Sequence, residues 1–188
     1  MSIQPKIILG VDPGSNVLGY AFIQIIGKKK PRIITMGVLN MSQYDNHGQK
    51  LAHIFTELQK LIQLYQPTDA GIEAPFYGKN VQSMLKLGRA QGVAMVAIAQ
   101  KGIPVEEYSP RSIKKAVTGN GNASKEQVAR MLPHVVDGQI QSNLLDATDA
   151  LGVAFCHHIQ TQGLELGQKK YNDWGSFLKD NPNKKAKL

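Results

Sequence analysis

A chain of 188 residues, 42% hydrophobic, is long enough for one domain with a substantial core and needs no second. Its 22 Lys and Arg against 14 Asp and Glu give a formal +8, which favours a polyanionic partner, either nucleic acid or an anionic membrane face. The single cysteine, Cys156, excludes an internal disulfide and suits a reducing cytosol; no stretch stays apolar for the roughly 20 residues that cross a bilayer, so a soluble cytoplasmic protein without a membrane partner is expected.

The run Ile7-Ile8-Leu9-Gly10-Val11 reads as a strand buried in a sheet, ended by Asp12 where Pro13-Gly14 turns the chain. A carboxylate against apolar walls is costly unless it is paired, hydrogen-bonded or bound to a cation. Asp before Pro-Gly is equally a common turn opener, and this strand alone does not choose between the two. Gly19–Ile26 and Arg32–Leu39 follow as β-rich runs joined by Gly27-Lys28-Lys29-Lys30-Pro31, which predicts an antiparallel meander with an exposed lysine loop.

After a polar stretch at 40–48, apolar residues at three- and four-residue spacing from Gln49 to Tyr65 predict an amphipathic helix, stopped by Pro67. Ala70-Gly71-Ile72-Glu73 is a short strand that again ends in a carboxylate. A strand reached through a helix lies parallel to, and near, the one it left, which sets Glu73 beside Asp12. Residues 81–101 form a long helix rich in Gly and Ala and apolar on more than one side, to be covered by another layer or by a second subunit.

Val105–Tyr108 is a further strand, and Ser109-Pro110 caps and opens a helix that carries Arg111, Lys114 and Lys115. A Gly-Asn loop at 118–122 leads to Ser124-Lys125-Glu126-Gln127, which has capping-box spacing and starts a helix running through Leu132. Residues 133–141 look irregular, and the last helix is expected from about Asn143 to His158. On it Cys156 reads as a small core filler, and His157 and His158 as a C-terminal pair favourable to the helix dipole. Beyond it the chain turns polar and basic: residues 169–188 hold six Lys and two Asp, a disordered tail with at most transient docking of Trp174 and Phe177.

In that last helix Asp146 and Asp149 are three residues apart, which puts both carboxylates on one face, one turn apart. Like charges on an apolar helix need a raised pKa, an arginine clamp or a divalent cation. Asp12, Glu73, Asp146 and Asp149 are the acids that lie in apolar segments, and hard oxygen donors without Cys or His at metal spacing point to magnesium or manganese. Two such cations can activate a water and stabilise the leaving oxygen of a phosphodiester. Four separately satisfied structural acids is the bland alternative. No Ser-His-Asp arrangement, Walker loop or dinucleotide fingerprint is legible.

Gly10-Val11-Asp12-Pro13-Gly14, Ile72-Glu73 with Phe76-Tyr77-Gly78-Lys79-Asn80, Leu87-Gly88-Arg89-Ala90-Gln91-Gly92-Val93-Ala94, and Asp146-Ala147-Thr148-Asp149-Ala150-Leu151 together resemble the RuvC family of Holliday-junction resolvases, in order over residues 6–160. The resemblance implies an α/β, ribonuclease H-like fold: a central mixed five-stranded sheet flanked by helices, with a nuclease domain over 1–163 and a basic tail over 164–188. It implies a homodimer that uses Mg²⁺, two per subunit and replaceable by Mn²⁺, to nick two strands of a four-way DNA junction in recombination and repair. Asp12, Glu73, Asp146 and Asp149 match the family's catalytic, metal-binding acids. Phe76 matches its base-stacking aromatic, Lys114 and Lys125 its DNA-contacting bases, and the small-residue helix its dimer helix. Lys79, Lys86, Arg89, Arg111 and Lys115 are further candidate phosphate contacts. A branch-migration motor complex is an implied partner. The chain departs from some relatives in Ala74-Pro75 before Phe76, and some relatives carry His at the position of Asp149.

The rivals are an ATP-dependent sugar or acetate kinase, or a chaperone-like ATPase, sharing the Asp-x-Gly turn, and a junction-binding module whose acids are structural. The first needs a second lobe, for which 188 residues leave little room.

Overall fold

The computed structural model describes residues 5–75, 80–140 and 144–165. Strands β1 (Lys6–Asp12), β2 (Val17–Ile25) and β3 (Arg32–Asn40) form the meander, helix α1 (His47–Tyr65) crosses over to β4 (Asp69–Glu73), and α2 (Val81–Ala99) leads to β5 (Val105–Tyr108). Helices α3 (Pro110–Thr118), α4 (Lys125–Val135) and α5 (Leu145–Glu165) complete the chain. The sheet order is β3-β2-β1-β4-β5, which corrects one expectation: β4 does not lie beside β3, the strand from which α1 departs, but across β2 and beside β1. β1 is antiparallel to β2 and β2 to β3, while β1–β4 and β4–β5 are parallel, so this is the mixed five-stranded sheet expected from the sequence.

Alternation along the strands divides the interior in two. Leu9, Val11, Leu18 and Phe22 pack with Ile54, Leu58 and Ile62 of α1 and with Ala90, Ala94 and Ile98 of α2. Ile8, Ala21 and Ile23 pack on the other face with Val128 and Leu132 of α4 and with Ala147, Ala150, Leu151 and Ala154 of α5. Odd residues of β1 thus look toward α1 and α2, and even residues toward α5.

Two glycines let α5 settle almost onto the sheet. A Cβ at Gly10 would fall on the backbone of Ala150 and Ala154, and one at Gly19 on the backbone of Asp146. Gly71 of β4 continues the same track, 3.1 Å from the Cβ of His157 if it carried a side chain. Close helix-to-strand approach of this kind tolerates no side chain at the crossing.

Several local expectations are corrected. α4 does not stop at Leu132 but runs to Val135 with Pro133 inside it. Its last turn is tied by Val136 N–H donating to the Leu132 carbonyl at 3.0 Å, and both side chains are buried, so burial outweighs the missing donor. Nor is the following segment wholly irregular: Ile33 N–H donates to the Asp137 carbonyl and Asp137 N–H to that of Pro31, each at 2.8 Å, adding a bridge to the edge of β3. α5 extends to Glu165, so His157 and His158 are not at a helix end; both are buried, and Tyr108 Oη lies 3.0 Å from His157 Nδ1. Burial lowers the pKa of His157, with the Asp69 carboxylate opposing and Lys6 adding to the shift, so it is an interior imidazole and not a dipole cap. Cys156 is fully buried, as expected of a core filler. Residues up to His158 form one compact unit; Ile159 onward belong to a second, of which the last turns of α5 are described. Most of the expected tail lies outside the described residues.

Candidate active site at the strand ends

Asp12 follows Ile8 and Gly10 in the even set of β1 and therefore faces α5. Glu73 lies two residues beyond Gly71, which meets α5, so it faces the same way. The parallel register pairs Val11 with Ile72, and the next residue on each strand is one of these two acids. Asp12 also sits opposite Gly19 of β2, and Gly19 abuts the backbone of Asp146. The first turn of α5 thus lies over the end of β1, with Asp149 one turn farther on. Three elements and an absent side chain bring the four acids together.

Their electrostatics register the crowding. Asp12 is pushed up to about 8, first by burial and then by Glu73 and Asp149, with Lys125 opposing and Asp146 adding a smaller push. Burial raises Glu73 to about 7, helped by Asp149 and opposed by Lys125 and Lys114. The Asp12–Glu73–Asp149 group is more charge than the pocket stabilises by itself.

Lys125 is the counterweight. Its Nζ donates to Asp149 Oδ2 at 2.6 Å, and its pKa is raised by that bond, against burial, and further by the charges of Asp149, Asp12 and Glu73. The Ser124–Gln127 capping box fixes the start of α4 and so directs Lys125 toward α5. Beside it is a cavity of about 240 Å³ lined by Glu73, Asp149, Lys114 and Lys125, with Ile113 and Val128 as apolar wall. Carboxylates below and two ammonium groups at the side suit a phosphodiester held against a cation.

The donor set fits a hard divalent cation: all four groups are carboxylates, and an ammonium already stands where three of them act on one positive charge. Among the described residues, no three His, Cys, Asp or Glu groups stand in a ready ligating arrangement. The acids converge, while Asp149 is engaged by Lys125.

The basic candidates separate. Lys114 and Lys125 line the cavity, whereas Arg111 and Lys115 on α3, and Lys86 and Arg89 on α2, are exposed away from it. Phe76 and Lys79 lie outside the described residues. Two functional features escape sequence reasoning. One is the glycine track, for which glycines inside strands at 10, 19 and 71 were the available signal. The other is Gln91, buried on α2, which donates through Nε2 to Glu107 Oε2 at 2.8 Å and to the Glu73 carbonyl at 3.5 Å; a polar residue in the small apolar stripe of α2 marked it.

A family model described as "Crossover junction endodeoxyribonuclease RuvC" matches residues 8–157. A protein of that name from Cytophaga hutchinsonii is 52% identical over 179 residues, covering 95% of this chain and 88% of the relative. Another, from Bacteroides fragilis, is 47% identical and covers 96% of each chain. Among solved structures, Thermus thermophilus RuvC in complex with a Holliday junction substrate superposes with a TM-score of 0.79 at 26% identity, covering 88% of this chain and 98% of that one. The yeast mitochondrial Holliday junction resolvase, at 14% identity and a TM-score of 0.66 over 86% of this chain and 81% of that one, shares the fold.

Proposed function

This chain belongs to the RuvC family of crossover junction endodeoxyribonucleases, and from that premise we propose that it resolves four-way DNA junctions at the carboxylate cluster of β1, β4 and α5. Supporting this reading above all is the push of Asp12 to about 8, first by burial and then by Glu73, Asp149 and, least, Asp146, against Lys125: acids from distant parts of the chain share one pocket that calls for a cation.

Asp12, Glu73, Asp146 and Asp149 are the proposed holders of Mg²⁺, two per subunit, with Mn²⁺ as a substitute. Such cations, when bound, supply activation of a water and stabilisation of the leaving oxygen. The protein's part is to seat the phosphodiester over the acids with Lys114 and Lys125 against its oxygens. Nicking leaves a 5′-phosphate and a 3′-hydroxyl.

Arg111, Lys115, Lys86, Arg89, Lys79 and Phe76 are proposed to hold the arms, in a nuclease domain over 1–163 with 164–188 as a basic tail. A homodimer would bring two such sites to symmetric strands; it is supported by Leu85 and Val96 of α2, 50% and 58% exposed. A motor complex for branch migration and a cytoplasmic location complete the proposal.

The experiment is a synthetic four-way junction with Mg²⁺ and protein, beside Asp146→Asn. Paired symmetric nicks by the unmodified protein, lost in D146N with binding retained, are expected. Junction binding without nicking by the unmodified protein would leave a binding module with structural acids.

A further inference from the structure

Away from the acids, a second set of groups gathers where the start of α1 meets α2. His47 stands in the first turn of α1, and its Nε2 is closed off from solvent with no hydrogen-bond partner. Lys50 follows three residues on, on the same face, and its Nζ donates to Asn16 Oδ1 at 2.7 Å in the turn that leaves Asp12. From α2 come Lys86 and Arg89; Arg89 lines an apolar cavity of about 290 Å³ together with Leu51 and Phe55 of α1 and Gly92, Val93 and Val96 of α2.

Resting on the resolvase reading, we propose that His47, Lys50, Lys86 and Arg89 form one seat for a backbone phosphate of junction DNA, with the Nε2 of His47 as its innermost contact. A buried ring nitrogen left unpaired costs stability. Lys50, Lys86 and Arg89 offer only donors, so none supplies the acceptor that a protonated Nε2 needs, and an anionic oxygen satisfies all four at once. Lys86 and Arg89 are long, exposed side chains whose heads can part to admit it. The first turn of α1 carries no acidic residue to compete. Lys50's hold on the β1–β2 turn places the seat at the same end of the sheet as Asp12, as a phosphate on the cleaved strand or its neighbour requires.

Proton linkage follows from the same set. Burial lowers the pKa of His47, and the charged groups acting on it, Arg89 and Lys86 from α2 and Lys50 from its own helix, all push in the same direction. Bound phosphate reverses that field, so junction binding takes up a proton at His47 and tightens as pH falls, by up to about tenfold per pH unit. Asp12 at about 8 and Glu73 at about 7 also change charge over the pH span measured, so the readout is the difference between the unmodified protein and His47→Gln, which keeps a donor near Nε2 but does not titrate.

Four-way junction affinity is measured with chelator present, so that no strand is cut, from pH 6 to 8 and over a range of salt. His47→Gln should lose at least about threefold of the tightening between pH 8 and pH 6, while His134→Gln, at an exposed position of α4, keeps all of it. Lys50→Gln should lower the log–log salt slope by about 0.9. A pH profile in H47Q that superposes on the unmodified one, or a K50Q salt slope that does not change, overturns the seat while leaving the resolvase reading intact. Absence of junction binding by the unmodified protein overturns both.

Discussion

At the residue scale the centre is governed by one imbalance, more carboxylate charge than its surroundings stabilise. Asp12 at about 8 and Glu73 at about 7 are raised acids, so their favourable contribution is complete below the ordinary carboxylate range and is lost as pH climbs through these values. The metal-free protein should therefore melt at a lower temperature at pH 8.5 than at pH 6. Asp12→Asn should recover the difference, about 2–4 °C per kcal/mol, while abolishing nicking; a calorimetric scan of both proteins at both pH values checks it. Because a cation must displace protons from these acids, the Mg²⁺ concentration giving half-maximal nicking should rise as pH falls from 8.5 to 6.5. Lys125 lowers both acids. Lys125→Gln should thus move the pH–rate profile to higher pH and reduce nicking by about 10²-fold at neutral pH. A rate loss without that alkaline displacement would make Lys125 a phosphate contact alone.

At the element scale, the site depends on how closely α5 lies against β1 and β2. Gly10 and Gly19 are filled by helix backbone, not by movable side chains, so Gly10→Val has no cheap relaxation. It should cost about 2–4 kcal/mol, read as a fall in the urea midpoint. Gly19→Ala, at the crossing with Asp146 itself, should depress nicking more than it depresses stability, since a helix lifted there carries Asp146 off Asp12. Gly88→Ala, with open space within the subunit where its side chain would stand, is a control for monomer stability alone and should leave the urea midpoint unchanged or raised. These contacts explain what the sequence shows and what it hides. The meander, the crossover to β4 and all four acids are legible, because each is a local pattern: an apolar run closed by a turn, a helical period, a carboxylate out of place. The passage of α4 through Pro133 and the interior setting of His157 are not legible. Both are decided by partners distant in sequence, Leu132 and Val136 against the sheet in one case and Tyr108 and Asp69 in the other. The convergence is only partly legible: a crossover leaving β3 is expected to land beside it, whereas β4 pairs with β1, beyond β2, and that pairing is what sets Glu73 by Asp12. Lys125 as counter-ion to Asp149 is not legible, since a basic residue at a helix start reads equally well as a surface charge.

At the scale of the whole molecule, one subunit holds one carboxylate centre, whereas a four-way junction presents two strands to be cut in register. The outward side of α2 carries Val81, Leu85 and Val96, respectively 65%, 50% and 58% exposed. Gly88 and Gly92, between them at helical spacing, have open space where a side chain would be. An apolar stripe flattened by glycines lets a second helix come close, and its inner side is already occupied by the packing of Ala90, Ala94 and Ile98 on the sheet. Two copies joined along this stripe would be related by a two-fold axis, which is also the symmetry of a junction with equivalent arms. Leu85→Glu and Val96→Glu put charge on the stripe without touching the core, so each should leave monomer stability within about 0.5 kcal/mol while moving the mass in light scattering from dimer to monomer. On a junction closed into a plasmid cruciform, the dimer should produce linear DNA from paired cuts within one binding event. The monomeric variants should accumulate singly nicked circles, and the yield of linear product should fall more steeply than total nicking. If L85E and V96E remain dimeric, the subunits meet elsewhere; if they become monomeric yet still linearise the cruciform in one event, paired cutting does not need the two-fold assembly.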